Sequence, residues 1–194
     1  MTSAAIQLTD VTVQHDDNVI FKNLSLDIPN HKITAIMGPS GIGKTSILRI
    51  LSNQVNPLQG QVTFNGNSRD SLSKAEKKAL QLNMGFLFQN SALLLNLSVY
   101  ENIALPLRYH YNLPESIIRE VVAMKLHAVN LDNTEELYPE QLSGGMARRV
   151  ALARCIALDP SLIFCDEPFT GQDPINAKSL AQLVKKMNHY QKKL

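Results

Sequence analysis

Gly38-Pro39-Ser40-Gly41-Ile42-Gly43-Lys44-Thr45 matches the phosphate-loop pattern G-x-x-x-x-G-K-[ST] at every fixed position. Lys32-Ile33-Thr34-Ala35-Ile36-Met37, just before it, reads as a short buried strand. Ser46-Ile47-Leu48-Arg49-Ile50-Leu51, just after it, reads as a helix. A strand, a glycine-rich turn and a helix N-terminus together form an anion site. Glycines let backbone amides turn toward phosphate oxygens, and the helix dipole adds partial positive charge. Lys44 supplies a point charge for the β- and γ-phosphates, and the Thr45 hydroxyl suits Mg²⁺. The loop points to a nucleoside triphosphate and leaves open what is done with it.

The chain has 194 residues, enough for one sizeable domain, with 44% hydrophobic and 19% charged residues. That balance is globular. The net charge is +2 and the basic residues are dispersed, which gives no case for nucleic acid. There is no apolar run of membrane-spanning length and no basic-then-apolar leader, so a cytoplasmic location is expected, with room for contact with a membrane protein. Cys155 and Cys165 lie in apolar sequence without metal-ligand spacing and read as reduced core thiols.

Ile6, Leu8, Val11 and Val13 alternate with polar residues. Val19-Ile20-Phe21 follows a polar turn at Asp16-Asp17-Asn18, and Leu24, Leu26 and Ile28 alternate again. These are the marks of antiparallel strands with one wet face. Gln61 to Phe64 reads as a strand ending at the Asn65-Gly66 turn, and Ser73 to Leu82 as a helix capped by Ser73 with Glu76 three residues on. Met84 to Phe88 and Leu162 to Cys165 are continuous apolar runs, expected as buried strands. Between Asn90 and Leu158 helical periodicity dominates, with breaks expected at Pro106, Pro114 and Pro139. A terminal helix is expected over Asn176 to Lys193. The fold class implied is α/β: a nucleotide-binding core with an N-terminal antiparallel β subdomain and an inserted α-helical subdomain.

Two further stretches carry chemistry. The strand ending in Asp166-Glu167 places two acids where α/β sheets bind ligands. Asp166 suits a Mg²⁺ contact, and Glu167 suits polarisation of an attacking water. Taken alone, such a pair is more often surface charge; beside the Gly38–Thr45 loop it is not. Leu142-Ser143-Gly144-Gly145-Met146 opens another helix, with Ser143 as N-cap and two glycines that leave amides bare. It is either an ordinary glycine-rich cap or a second anion site.

These motifs resemble those of the ATP-binding subunits of ABC transporters. The set comprises the Gly38–Thr45 loop, Gln89 after a buried strand, Leu142–Met146, Asp166-Glu167, and Thr170-Gly171-Gln172-Asp173, in the family's order across nearly the whole chain. Within that family, the spelling of the loop, of Leu142 to Arg149 and of Asp166 to Pro174 is most similar to the bacterial Mla group, which moves phospholipids between the two membranes of a Gram-negative envelope. The resemblance implies a mostly parallel P-loop NTPase sheet and a single ATP-binding domain over 1–194. Residues 1–89 would form the β subdomain and nucleotide core, 90–158 the helical subdomain, and 159–194 the second part of the core. It also implies ATP and Mg²⁺ as cofactors and a head-to-tail homodimer. Each ATP would lie between Gly38, Pro39, Ser40, Gly41, Ile42, Gly43, Lys44 and Thr45 of one subunit and Ser143, Gly144 and Gly145 of the other, with Asp173 at the seam. Glu167 would be the base and Gln89 would sense metal and water; Thr45, Gln89 and Asp166 would be the metal contacts. The other partner implied is an integral membrane permease, which would hold the chain on the cytoplasmic face of the bacterial inner membrane.

The family's glutamine is Met146 here, as in the Mla-like group, and its adenine-stacking aromatic falls at His15. The family continues beyond the terminal helix to a strand and a switch histidine. Leu194 precedes that segment and His189 does not match it, so a fragment with very weak turnover of its own is expected. The alternative is a regulatory or non-transport ABC-type ATPase that does not turn over alone. The lack of an Asn-Lys-x-Asp motif argues against a GTPase. Ala92-Leu93-Leu94-Leu95-Asn96-Leu97 fits no single periodicity and is expected either to pack locally or to line a groove for a helix of the membrane subunit.

Overall fold

The computed structural model describes residues 4–15 and 18–191, and these fall into two compact units, one running up to Gln81 and the other spanning Leu82–His189. In the first unit, β1 (Ala4–His15) and β2 (Asn18–Pro29) form a long antiparallel pair. The alternating segments are thus two continuous strands, interrupted by bulges. Asp10, in left-handed backbone (φ 49°), marks one bulge, and its amide is satisfied by the Ser25 hydroxyl at 3.0 Å. Beyond β1 lie β3 (Gln59–Phe64) and β4 (Asn67–Ser68), giving the order β2-β1-β3-β4. Gly60 has φ 92°, and a Cβ there would lie 2.5 Å from the Asp10 carbonyl oxygen, so only glycine lets β3 approach the bulge. Asn65 and Gly66 both take positive φ (47° and 83°), as the two-residue turn between β3 and β4 requires. The turn residues Asp16 and Asp17 lie outside the described residues.

Helix α1 (Lys44–Leu51) follows the phosphate loop and buries Ile47, Ile50 and Leu51, spaced to share one face. The expected strand before the loop does not form. Among the described residues Lys32–Met37 enters no ladder, and Ile33 and Met37 are 55% and 89% exposed. An apolar run becomes a strand only when a neighbouring backbone takes up its amides and carbonyls. Among the described residues the ladder of this unit ends at β2 on one side and β4 on the other, and neither takes up Lys32–Met37. Helix α2 (Lys74–Leu82) bears out its start signal: Ser73 and Glu76 cap each other, the Ser73 amide donating to Glu76 at 2.8 Å.

In the second unit β5 (Met84–Leu87) and β6 (Leu162–Cys165) pair in parallel, in register from Met84 with Leu162 to Leu87 with Cys165. Helices α3 (Val99–His110), α4 (Glu115–Ala128) and α5 (Gly144–Cys155), with α6 (Pro174–Gln191) as far as His189, complete the unit. Leu87, Ile103, Val122, Leu126, Leu152 and Leu183 belong to one buried cluster drawing on β5 and all four helices. A Cβ on Gly85 would lie 2.5 Å from the Cys155 carbonyl oxygen, so the end of α5 packs directly on the β5 backbone.

Pro106 does not break α3; the helix runs through it. Proline removes the donor to the Asn102 carbonyl, at a cost of about 3 kcal/mol. Burial of Ile103, Ala104 and Leu107 on the same helix, with the reciprocal Ser98–Glu101 cap, offsets that loss. Pro114 and Pro139 do fall at starts, of α4 and of a 3-10 turn. The terminal helix begins at Pro174, two residues earlier than the periodicity predicts, and Lys192 and Lys193 lie outside the described residues.

Candidate nucleotide site

In the first unit the Gly38–Thr45 loop takes the shape its glycines permit. Gly41 and Gly43 have φ 80° and 98°, and Gly43 serves as N-cap of α1. A Cβ at Gly43 would collide with Ile20 and lie 2.6 Å from the Phe21 ring, so the turn also presses against β2. The Lys44 ammonium donates to the carbonyls of Gly38 and Pro39 at 3.0 and 2.8 Å. The cation is therefore held over its own loop, beside the start of α1, where helix dipole and ammonium charge add. That arrangement fits a polyphosphate.

In the second unit the acidic strand end and the Gln89 loop meet. The Asp166 amide donates to the Leu87 carbonyl at 3.0 Å, extending the β5–β6 ladder, and Asp166 is buried. Glu167 follows with φ 43°, a left-handed conformation costly for a residue with a long side chain. Pro168 is part of the reason, because it disfavours the right-handed helical region for the residue before it. In this pose the Glu167 carboxylate accepts from the Gln89 amide nitrogen at 3.1 Å and from the Thr170 hydroxyl at 3.0 Å. Asp166, Glu167 and Gln89 thus lie at neighbouring ends of two parallel strands; Thr170 was quoted without a role.

Ser143 caps α5, its hydroxyl accepting from the Met146 amide at 3.2 Å. A Cβ on Gly145 would lie 3.0 Å from the Asn176 side chain, so the starts of α5 and α6 lie side by side. Asp173 caps α6, accepting from the amides of Ile175 and Asn176 at 3.0 Å each. Hydrogen bonds from Asn176 hold its carboxyl below the usual carboxylate range. The side chains of His15 and His189 lie outside the described residues.

Arg148, on α5, went without a role in the sequence reading. It is buried, and its guanidinium donates to the Phe88 carbonyl at 2.7 Å and the Thr170 carbonyl at 3.4 Å. Its Nε is buried with no acceptor among the described residues, and burial lowers its pKa. The segment after Gln89 is fixed in turn by Asn102, which is fully buried. The Asn102 amide donates to the carbonyls of Leu94, Leu97 and Ser98, and its oxygen accepts from the Leu94 amide at 2.9 Å. Leu93 packs on the core while Leu94 and Leu95 are 42% and 75% exposed, so the leucine run splits between packing and surface.

The two thiols are free and half-buried, packed against the core of the second unit. Burial pushes the Cys165 thiol up to about 11 and the Cys155 thiol higher still. None of the described helices is long and apolar enough to cross a membrane.

The profile of the ABC transporter family matches residues 21–170. The chain is 49% identical over 188 residues to the intermembrane phospholipid transport system ATP-binding protein MlaF of Haemophilus influenzae, covering 97% of this chain and 71% of that protein. It is 46% identical over 183 residues to the protein of the same name from Escherichia coli strain K12, covering 94% and 68% respectively. Among solved structures, the dimeric post-hydrolysis state of the ATP-binding cassette MJ0796 bound to ADP and Pi matches with a TM-score of 0.83 and 31% identity, over 94% of this chain and 82% of that one. With the phosphate loop, the Gln89–Glu167 pair and the Ser143 cap all inside or beside the matched stretch, this chain belongs to the ABC transporter family, as an ATP-binding ATPase subunit.

Proposed function

We propose that this chain powers phospholipid transport between the inner and outer membranes of a bacterium. The relatives named for intermembrane phospholipid transport, at 49% and 46% identity, support that cargo. Gly38 to Thr45 bind the ATP phosphates, and Lys44 exchanges its carbonyl contacts for the β- and γ-phosphate oxygens. The Thr45 hydroxyl in the first unit, and the Asp166 carboxylate and Gln89 amide oxygen in the second, are each hard oxygen donors of the kind Mg²⁺ takes, and are the contacts proposed for it. When bound, Mg²⁺ would neutralise phosphate charge. Glu167 accepts a proton from the attacking water, while Gln89 and Thr170 aim its carboxylate.

Two copies act head to tail, the bare amides of Ser143, Gly144 and Gly145 of one facing the γ-phosphate held by the other, with Asp173 at the seam. The dimeric cassette with ADP and Pi supports this arrangement. The 1–89, 90–158 and 159–194 division belongs to the same reading. Exposed Leu94 and Leu95, just past Gln89, face the integral membrane permease that holds the chain at the cytoplasmic face. The observation that carries the proposal is the Gln89–Glu167 hydrogen bond, which joins a loop leading to that surface with the proposed base.

Purification from bacterial membranes, with identification of what copurifies, tests the proposal. A phospholipid-transport permease is expected. Recovery with ribosomes or DNA and no permease would contradict it.

A further inference from the structure

We propose that Arg148 is a positioning residue that locks the Gln89 loop to the Glu167–Thr170 turn and so links the start of α5 to the proposed base. The inference rests on the role proposed for Glu167.

Phe88, whose carbonyl takes one N–H of the guanidinium, is the residue before Gln89. Thr170, whose carbonyl takes another, is the residue whose hydroxyl donates to Glu167. One planar fork therefore spans residues 60 and 22 positions away. It holds the backbones that carry both hydrogen-bond donors to the Glu167 carboxylate. A flexible ammonium lacks the fixed spacing of such a fork. Arg148 also lies on the helix capped by Ser143, about 7.5 Å along the axis at 1.5 Å per residue. A displacement at the Ser143 end, where a phosphate is proposed to dock, thus reaches the carboxylate through one rigid helical turn and one side chain.

The burial supports a positioning role. Arg148 is 5% exposed, both acceptors are backbone carbonyls, and Nε has no acceptor among the described residues. A guanidinium is a costly way to fill a core unless its geometry is used.

The test is a double-mutant cycle on the protein purified in its native complex. Nucleotide affinity is read by ATP titration and turnover by phosphate release at saturating ATP and Mg²⁺. Arg148→Met is expected to lower kcat by up to about 100-fold while ATP affinity stays within about twofold, since misplacement of a reacting group by about 1 Å can cost that much. In a Glu167→Gln background the same change is expected to cause no further loss, because Arg148 acts through Glu167. Arg148→Lys keeps the charge and loses the fork, so a smaller kcat loss, again absent in the Glu167→Gln background, is expected. It serves as the readout if the methionine variant does not fold. Losses that multiply in the double variant, ATP affinity that falls in parallel with kcat, or failure of both variants to fold would each overturn the proposal and leave Arg148 a stabilising residue. If Glu167→Gln alone leaves turnover intact, the reading of Glu167 fails first, and that outcome is distinct from the others.

Discussion

The Gln89 amide nitrogen donates to the Glu167 carboxylate across 3.1 Å, joining residues 78 positions apart at the ends of two parallel strands. The carboxylate also takes the Thr170 hydroxyl at 3.0 Å, so its orientation is fixed from two sides. A base held this way loses little freedom on reaching the transition state.

Thr170→Val tests that orientation. The substitution keeps the shape and removes one donor to Glu167. Turnover is expected to fall about tenfold with KM for ATP unchanged, since the interaction matters after binding. Steady-state phosphate release across ATP concentrations checks it; a raised KM with normal kcat would place Thr170 in substrate binding instead.

Lys44→Ala removes the cation held at 3.0 and 2.8 Å from the loop carbonyls. A charge-assisted contact to phosphate contributes roughly 1.5–3 kcal/mol, so ATP affinity is expected to fall about 10- to 100-fold. Titration with nucleotide measures it, and an unchanged affinity would take Lys44 out of the site.

The two half-buried thiols give a pH dependence with a definite sign. Cys165 is raised from 9.0 to about 11 and Cys155 further, so the folded chain holds protons that the unfolded chain releases from about pH 9 upward. Their contribution to stability is full below that pH and is lost as pH rises from about 9, through about 11 for Cys165 and beyond that for Cys155. Denaturant midpoints are expected to drop over that interval, and to drop less in a Cys155→Ala, Cys165→Ala variant. Thiol labelling at pH 8 is expected to be slow in the folded protein and fast in denaturant.

Local chemistry was legible in the sequence. The glycine loop, the Ser73–Glu76 cap, the Ser143 cap and the two apolar strands each rest on neighbours within a few residues, where composition and spacing decide. Lys32–Met37 misled because a run of apolar residues does not reveal whether a neighbouring backbone is available to pair with it. Pro106 misled because its cost is offset by burial on the same helix, which depends on the partners of α3. Arg148 and Thr170 carry no local signal. Arg148 matters because its side chain reaches carbonyls 60 and 22 residues away, and Thr170 because a strained turn aims its hydroxyl back at Glu167.

The central claim is that Glu167 is the base of an ATP-driven dimer, and Glu167→Gln tests it most directly. Glutamine keeps the shape of the side chain and cannot accept the proton of water. Light scattering after chromatography with ATP and Mg²⁺, alongside phosphate release, is the measurement. An ATP-bound dimer that persists, with turnover reduced at least about 100-fold and nucleotide affinity retained, is the predicted result. A variant that stays monomeric with ATP, or that releases phosphate at the unsubstituted rate, would contradict the account.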